Sequence, residues 1–241
     1  MLFLTSQKYA GKKYGEYTIV KSVGEGRYGM CFLAQAIDGQ KVILKRFKPS
    51  IFRKNIDKNA FEAVMLSQIQ HPAIPKFLGV INQKGFYGFV LEHKKGDTVK
   101  ELLFKRQCKF SRVEFYQIGC QLISIVKYLH ENGIVHRDIR TPNVLLNQDQ
   151  VYLLDFGLAR WADTEQNAFM LDFSYLGDFF LYLLYSSFET SETQQKLPWH
   201  QELSISQEQK LFLKRLLRLE PIYTSIHEVE NDFIKAFGLE V

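Results

Sequence analysis

Asp138, Asn143 and Asp155 stand close enough in the chain, and carry the right atoms, to hold a hard cation and to take up a proton. They lie in two short runs, His136-Arg137-Asp138-Ile139-Arg140-Thr141-Pro142-Asn143 and Asp155-Phe156-Gly157. The intervening Val144–Leu154 is two apolar runs around a polar turn, which predicts a β-hairpin. Such a hairpin brings all three polar residues to one place. Mg²⁺ takes oxygen ligands and binds through one or two carboxylates plus substrate phosphates. Singly, each residue would serve as well as a turn polar; jointly they point to metal-assisted chemistry on a phosphate.

The elements that must position this group begin far upstream. Tyr17–Val23 alternates and is rich in strand formers. It runs into Gly24-Glu25-Gly26-Arg27-Tyr28-Gly29, a G-x-G-x-x-G. In a dinucleotide-binding fold that motif opens a helix. Here a second apolar run follows, then Asp38-Gly39, a hairpin signal, then a third run. The glycines therefore sit in a strand–loop–strand unit, which argues against a dinucleotide fold. The third run ends in Val42-Ile43-Leu44-Lys45, where the lysine is either a snorkelling surface group or a phosphate ligand. The next helix, around Asn59–Ile69, shows an apolar face at Phe61, Met65, Leu66 and Ile69 with Glu62 beside it, and Glu62 is the natural partner for Lys45. Phe77–Ile81 and Phe86–Leu91 predict two more strands, completing five. Glu92-His93-Lys94-Lys95-Gly96 then breaks the pattern and reads as a linker.

The remaining two thirds read as helical. Thr98–Gln107 is a short capped helix. Ser111-x-x-Glu114 is a capping box opening a long helix that Asn132-Gly133 stops. Leu171–Phe188 is a further helix with Asp172 in its first turn, where the helix dipole favours a carboxylate. Ser206–Leu219 is amphipathic with one basic side, read as a solvated face, and Ser225–Phe237 is the last helix.

The 241 residues, 46% hydrophobic and 24% charged, describe a folded chain rather than a disordered one. A net charge of +5 suits an anionic nucleotide and is far from a nucleic-acid-binding signature. Cys31, Cys108 and Cys120 suggest neither a disulfide framework nor a zinc cluster, and His71, His93, His130, His200 and His227 show no metal-ligand spacing. No leader is read at the start. The longest uncharged apolar run, Phe179–Phe188, falls well short of the roughly 20 residues of a spanning helix. The expectation is a cytoplasmic protein without nucleic-acid or membrane partners, its oligomeric state left open.

Taken in order, these motifs resemble those of the eukaryotic-like (Hanks-type) Ser/Thr protein kinases over about residues 15 to 237, and most closely a compact bacterial variant. The resemblance implies an α+β, bilobal fold: a five-stranded antiparallel sheet plus one helix over about 1–91, a hinge at about 92–97, and a mainly helical lobe over about 98–241, together one kinase domain. It implies ATP with Mg²⁺ (Mn²⁺ being the alternative ion) and a protein substrate. Asp138 would accept or orient the hydroxyl proton, Arg140 would neutralise the transferring phosphoryl group, and Asn143 and Asp155 would hold the metal. Lys45, paired with Glu62, would hold the α- and β-phosphates. Gly24, Glu25, Gly26, Arg27, Tyr28 and Gly29 would cover the phosphates, and Cys31, Ile43, Leu91 and Leu145 would line the nucleotide pocket. The backbones of Glu92 and Lys94 would meet the adenine edge, with Asp97 or Thr98 towards the ribose. Asp172, in Asp172-Phe173-Ser174-Tyr175-Leu176-Gly177, would hold the backbone of the catalytic loop.

Two departures stand out. Ile43 replaces the family's usual alanine over the adenine. Leu158 to Leu171 is only 14 residues, at most about 50 Å when extended, and contains no Ala-Pro-Glu motif. The arginine that pairs with that motif's glutamate is replaced by Thr224. Losing both partners avoids the buried unpaired charge that losing one would leave. Thr164, between Asp163 and Glu165, is the only hydroxyl of the short segment. The expectation is an active kinase, autophosphorylation included, that needs no phosphate there. The alternatives are a kinase-fold phosphotransferase acting on a small molecule, encouraged by the missing peptide platform, and a pseudokinase that binds nucleotide or a partner without chemistry.

Overall fold

The computed structural model describes residues 8–26, 29–48, 56–83, 85–162, 168–188 and 197–238, with backbone alone for 56–61. The chain divides into two compact units, Met1–Lys95 and Gly96–Val241.

The first unit is an antiparallel sheet with one helix. Its strands are β1 (Lys13–Tyr14), β2 (Tyr17–Glu25), β3 (Gly29–Gln35), β4 (Lys41–Phe47), β5 (Phe77–Gln83) and β6 (Phe86–Glu92), in the order β1-β2-β3-β4-β6-β5. The sequence predicts five of these. The sixth, β1, is two residues paired back onto β2 across the Gly15-Glu16 turn, too short for a hydrophobic period to reveal. Side chains alternate across the sheet. One face buries Ile19, Phe32, Ala34, Val42, Leu44, Ile81, Phe86 and Val90 as a core. The other carries Cys31, Ile43 and Lys45, with Phe77, Phe89 and Phe47 in edge-on ring contacts of 5.4 and 4.9 Å. Helix α1 (Ile56–Gln68) buries Met65 and Leu66.

The second unit is built on helices α2 (Val99–Phe104), α3 (Arg112–Glu131), α4 (Met170–Ser186), α5 (Trp199–Glu202), α6 (Gln207–Leu216) and α7 (Ile226–Phe237). Capping boxes open α2 at Thr98, α3 at Ser111 and α6 at Ser206, each satisfying two orphan donors. Phe115, Phe180, Phe212, Phe233 and Phe237 form its centre, with ring centroids 5.2 to 5.7 Å apart for the pairs 115–180, 180–233, 212–233, 233–237 and 212–237. The uncharged run beginning at Phe179 is core, as its burial at Phe179, Phe180 and Leu183 shows. No helix among the described residues is long and apolar enough to cross a membrane.

Three predicted boundaries shift. Helix α4 ends at Ser186 rather than Phe188. Helix α2 ends at Phe104, where the amides of Lys105 and Arg106 both return to Glu101 O and Gln107 takes a left-handed φ of +53°. Helix α6 ends at Leu216 because Arg218 is left-handed (φ +63°) and the Leu219 amide closes back on Lys214 O at 2.8 Å, a Schellman-type stop.

The stretch read as a hinge is also partly strand. Glu92 ends β6, and Asp97–Thr98 forms β7, paired with the second unit's Leu146 and Leu145. Gly96 makes that pairing feasible. Its φ is +144°, and a Cβ there would lie 2.3 Å from Leu146 O.

Candidate active site

In the first unit, Lys45 Nζ donates to Glu62 Oε1 at 2.6 Å, with the two side chains only 9% and 7% exposed. The pairing register sets Cys31 beside Lys45 on β3 and Gly24 beside Cys31 on β2. Ile43, flanked by Leu33 and Leu91, lies two residues along the same face. The glycine motif is the β2–β3 turn, closed by Gly26 N–H on Gly29 O at 2.9 Å; Arg27 and Tyr28 lie outside the described residues. Its three glycines are not equivalent. A Cβ on Gly29 would lie 2.1 Å from Arg46 O, so the sheet itself demands glycine there. A Cβ on Gly24 or Gly26 would meet nothing within 4 Å among the described residues, so the packing described does not itself demand glycine there.

Further along, Lys94 Nζ holds Glu92 Oε1 at 2.8 Å. Burial pushes the Glu92 carboxyl up, but hydrogen bonds from Lys94 and the Lys76 backbone outweigh it and hold it below its usual value. The Glu92 amide donates to Lys76 O at 2.9 Å.

The second unit assembles the other group around a hairpin, β9 (Val144–Asn147) and β10 (Gln150–Leu153), with β8 (Ile134–Val135) entering it and β11 (Arg160–Trp161) leaving it. Val144 pairs with Leu153, so Asn143 and Leu154 face each other at the open end, and Leu154 N–H donates to Asn143 O at 2.8 Å. This is the convergence expected of the hairpin. Leu145, 7% exposed, lies in β9 between Tyr152 and Thr98.

Three donors converge on the Asp138 carboxylate: Arg140 Nε on Oδ1, Arg140 Nη2 on Oδ2 at 2.9 Å, and Asn143 Nδ2 on Oδ2 at 2.7 Å. The hydrogen bond to Asp138 raises the Arg140 pKa against the opposing effect of burial. Asn143 Nδ2 also reaches Asp138 O at 2.9 Å. Both amide hydrogens are thereby used, and what Asn143 has left to offer is its carbonyl oxygen. Asp155 is exposed, with a left-handed φ of +60°. Thr98 caps α2, and Asp97 Oδ1 accepts from Arg106 at 2.7 Å.

Two residues outside the predicted set hold this arrangement together. His136 is fully buried. Its Nδ1 accepts the Asp138 amide (3.2 Å), so Nε2 carries the proton and donates to Leu154 O (3.2 Å). Burial lowers its pKa, and the nearby carboxylates of Asp172, Asp155 and Asp138 do not reverse that. The ring is neutral and packs edge-on against Phe156 at 4.7 Å. His130, at the end of α3, reaches Asp172 Oδ2 at 3.0 Å between the rings of Phe169 and Phe173. Spacing alone gives no sign of it. Asp172, which the sequence does assign to the loop backbone, accepts the amides of His136 (2.8 Å) and Arg137 (2.7 Å).

The first unit thus holds a buried lysine–glutamate pair beside a glycine turn, and the second a carboxylate–arginine–asparagine cluster, each a kind of group that phosphoryl-transfer enzymes use. Residues 17–181 match the protein kinase domain family. The chain belongs to the protein kinase family. A "Probable serine/threonine-protein kinase YbdM" of Bacillus subtilis is 34% identical to this kinase over 229 residues, covering 92% of this chain and 89% of that protein. The "Carbon catabolite-derepressing protein kinase" of Candida glabrata is 35% identical over 153 residues, 62% of this kinase and 25% of that protein. Human "Mitogen-activated protein kinase 13" is 30% identical over 165 residues, 64% and 44% respectively. The kinase therefore spans most of the first relative and less than half of the other two.

Kinase membership implies ATP and a divalent metal ion, and the residues present fit both. The open space at Gly24 and Gly26 admits a close ligand. The Asn143 carbonyl and the Asp155 carboxylate are hard oxygen donors, the kind a Mg²⁺-sized ion takes alongside phosphate oxygens. Among the described residues no three His, Cys, Asp or Glu side chains group as a metal site.

Proposed function

We propose that this kinase transfers the γ-phosphoryl group of Mg²⁺-ATP to Ser/Thr hydroxyls of proteins, itself included, without requiring a phosphate on the short segment after Gly157. The observation that carries the proposal is the Asp138 carboxylate, oriented by Arg140 and Asn143 and clipped through His136 and Leu154 to the strand that leads into Asp155. The relatives' names support a protein hydroxyl as the acceptor.

Bound ATP supplies the phosphoryl group, and the metal ion neutralises its charge. Asn143 and Asp155 would hold that ion through their oxygens, and Lys45, kept in place by Glu62, would meet the α- and β-phosphates. The amides of Gly24 and Gly26 would approach the phosphates from the β2–β3 turn. Asp138 takes the hydroxyl proton as the new O–P bond forms and the bond to ADP breaks. Its share of such proton transfer is worth about 10²- to 10⁴-fold. Arg140 spreads positive charge over the transferring group through two N–H donors.

The decisive assay is transfer of label from ATP, with Mg²⁺, to the protein itself and to myelin basic protein, comparing wild type with Asp138→Asn. Wild-type transfer that Asp138→Asn reduces at least a hundredfold is expected. Nucleotide binding without transfer would favour a pseudokinase, and turnover only with added metabolites a small-molecule phosphotransferase. Thr164, Asp163 and Glu165 lie outside the described residues. Thr164→Ala is expected to keep wild-type turnover, and complete loss would sink the phosphate-independent reading.

A further inference from the structure

The Asp138 carboxylate is already engaged by its own neighbours. A carboxylate offers about four lone-pair sites. The side-on fork of Arg140 uses one on each oxygen, on the side where the two are most basic, and Asn143 uses a third. The guanidinium is the outer member of the pair: the Arg140 side chain is 55% exposed and that of Asp138 9%. A lysine ammonium, a point charge on a flexible stem, would cover one oxygen at a time; the rigid arginine fork covers both. The Asp155 carboxylate also acts on Arg140 through its charge, so an anion held beside Asp155 would lie within reach of the same guanidinium.

We propose that Arg140 is a nucleotide-responsive latch on the catalytic base. Without a triphosphate the fork holds the two more basic sites of Asp138 and leaves an acceptor hydroxyl only the less basic one on Oδ1. A terminal phosphate beside Asn143 and Asp155 draws the guanidinium off Oδ1, and the base then opens to the acceptor. Nucleotide must bind first, and a diphosphate does not release the latch. This rests on the nucleotide-binding reading given above.

The test uses the full chain carrying ¹⁵N-labelled arginine, with the Arg140 Nε–H resonance assigned by its loss in Arg140→Lys. Calorimetry establishes that Mg²⁺-ADP and the non-hydrolysable triphosphate Mg²⁺-AMP-PNP bind. The expected result is a shift of the Arg140 resonance with AMP-PNP and none with ADP. Equal shifts with both, or none with either, while both bind would overturn the latch and leave the proposed function standing. Failure of both nucleotides to bind would overturn the two together. Kinetics provide an independent reading. An alanine version of a phosphorylated serine peptide should inhibit the wild type uncompetitively against ATP, and Arg140→Lys noncompetitively. A noncompetitive pattern in the wild type would overturn obligatory order.

Discussion

The Asp172 carboxylate accepts the backbone N–H of Arg137 at 2.7 Å, and Arg137 stands in the left-handed region at φ +66°. A non-glycine residue persists there only when its surroundings over-determine it. Asp172 does so from α4 by also taking the His136 amide. The residue after this strained one is Asp138.

Replacing Asp172 with asparagine puts an N–H₂ where one of two acceptors was needed. At least one buried donor loses its partner, which costs about 1–3 kcal/mol, and Arg137 can relax out of its left-handed conformation. Displacement of a catalytic group by about 1 Å costs on the order of 100-fold. Asp172→Asn should therefore lose both melting temperature and turnover. Wild-type turnover in a folded Asp172→Asn protein would show that the carboxylate does not position the loop.

The Lys45–Glu62 pair separates stability from activity. Glu62→Ala leaves a buried ammonium without this partner and should destabilise the protein by about 3–5 kcal/mol. Lys45→Met together with Glu62→Leu removes both charges and is expected to cost far less, or to stabilise, while abolishing turnover. Denaturant unfolding of the single and double variants, each beside its kcat, measures the contrast. A double variant as unstable as Glu62→Ala would contradict it.

The glycine turn offers a second contrast. Gly29→Ala drives a Cβ into Arg46 O and should cost about 1–3 kcal/mol as overpacking. Gly24→Ala meets open space and should leave stability within about 0.5 kcal/mol while raising the KM for ATP. Equal melting-temperature losses at the two positions would refute the distinction.

His136 gives stability an acid limb. Its pKa lies below the usual 6.5 because of burial, so the unfolded chain binds a proton that the folded chain refuses. Stability is complete above pH 6.5 and falls as pH drops from there towards the folded-state value. His71 and His93 are lowered too, first by burial and then by neighbouring lysines, and they add to the same limb. His136→Phe should flatten it by up to about 1.4 kcal/mol per pH unit, measured as the slope of unfolding free energy between pH 7.5 and 5. An unchanged slope would place the His136 titration elsewhere.

Much of the site was legible because its chemistry is local. The His136–Asn143 run, Asp155-Phe156-Gly157 and the hairpin between them lie within 22 residues, and alternation plus a polar turn suffices to fold them together. The capping box at Ser111 is likewise a four-residue signal, and the structure adds boxes at Thr98 and Ser206. The two-residue strand β1 and β7 were not legible, because strands that short carry no period. Nor was His130, whose contact with Asp172 spans 42 residues and looks in sequence like any histidine near a helix end.

By itself the sequence determined the identities and order of the chemical groups and the α+β division of the chain, and it offered Glu62 as a partner for Lys45 beside the alternative of two surface groups. Tertiary structure alone decided how those groups are used. It turned Arg140 onto Asp138, spent both Asn143 amide hydrogens on Asp138, made His136 a neutral link rather than an acid, and divided Gly29, required by the sheet, from Gly24 and Gly26, which the sheet does not require. Hydrogen bonds and steric contacts of this kind act over a few ångströms between residues whose proximity only the folded chain creates.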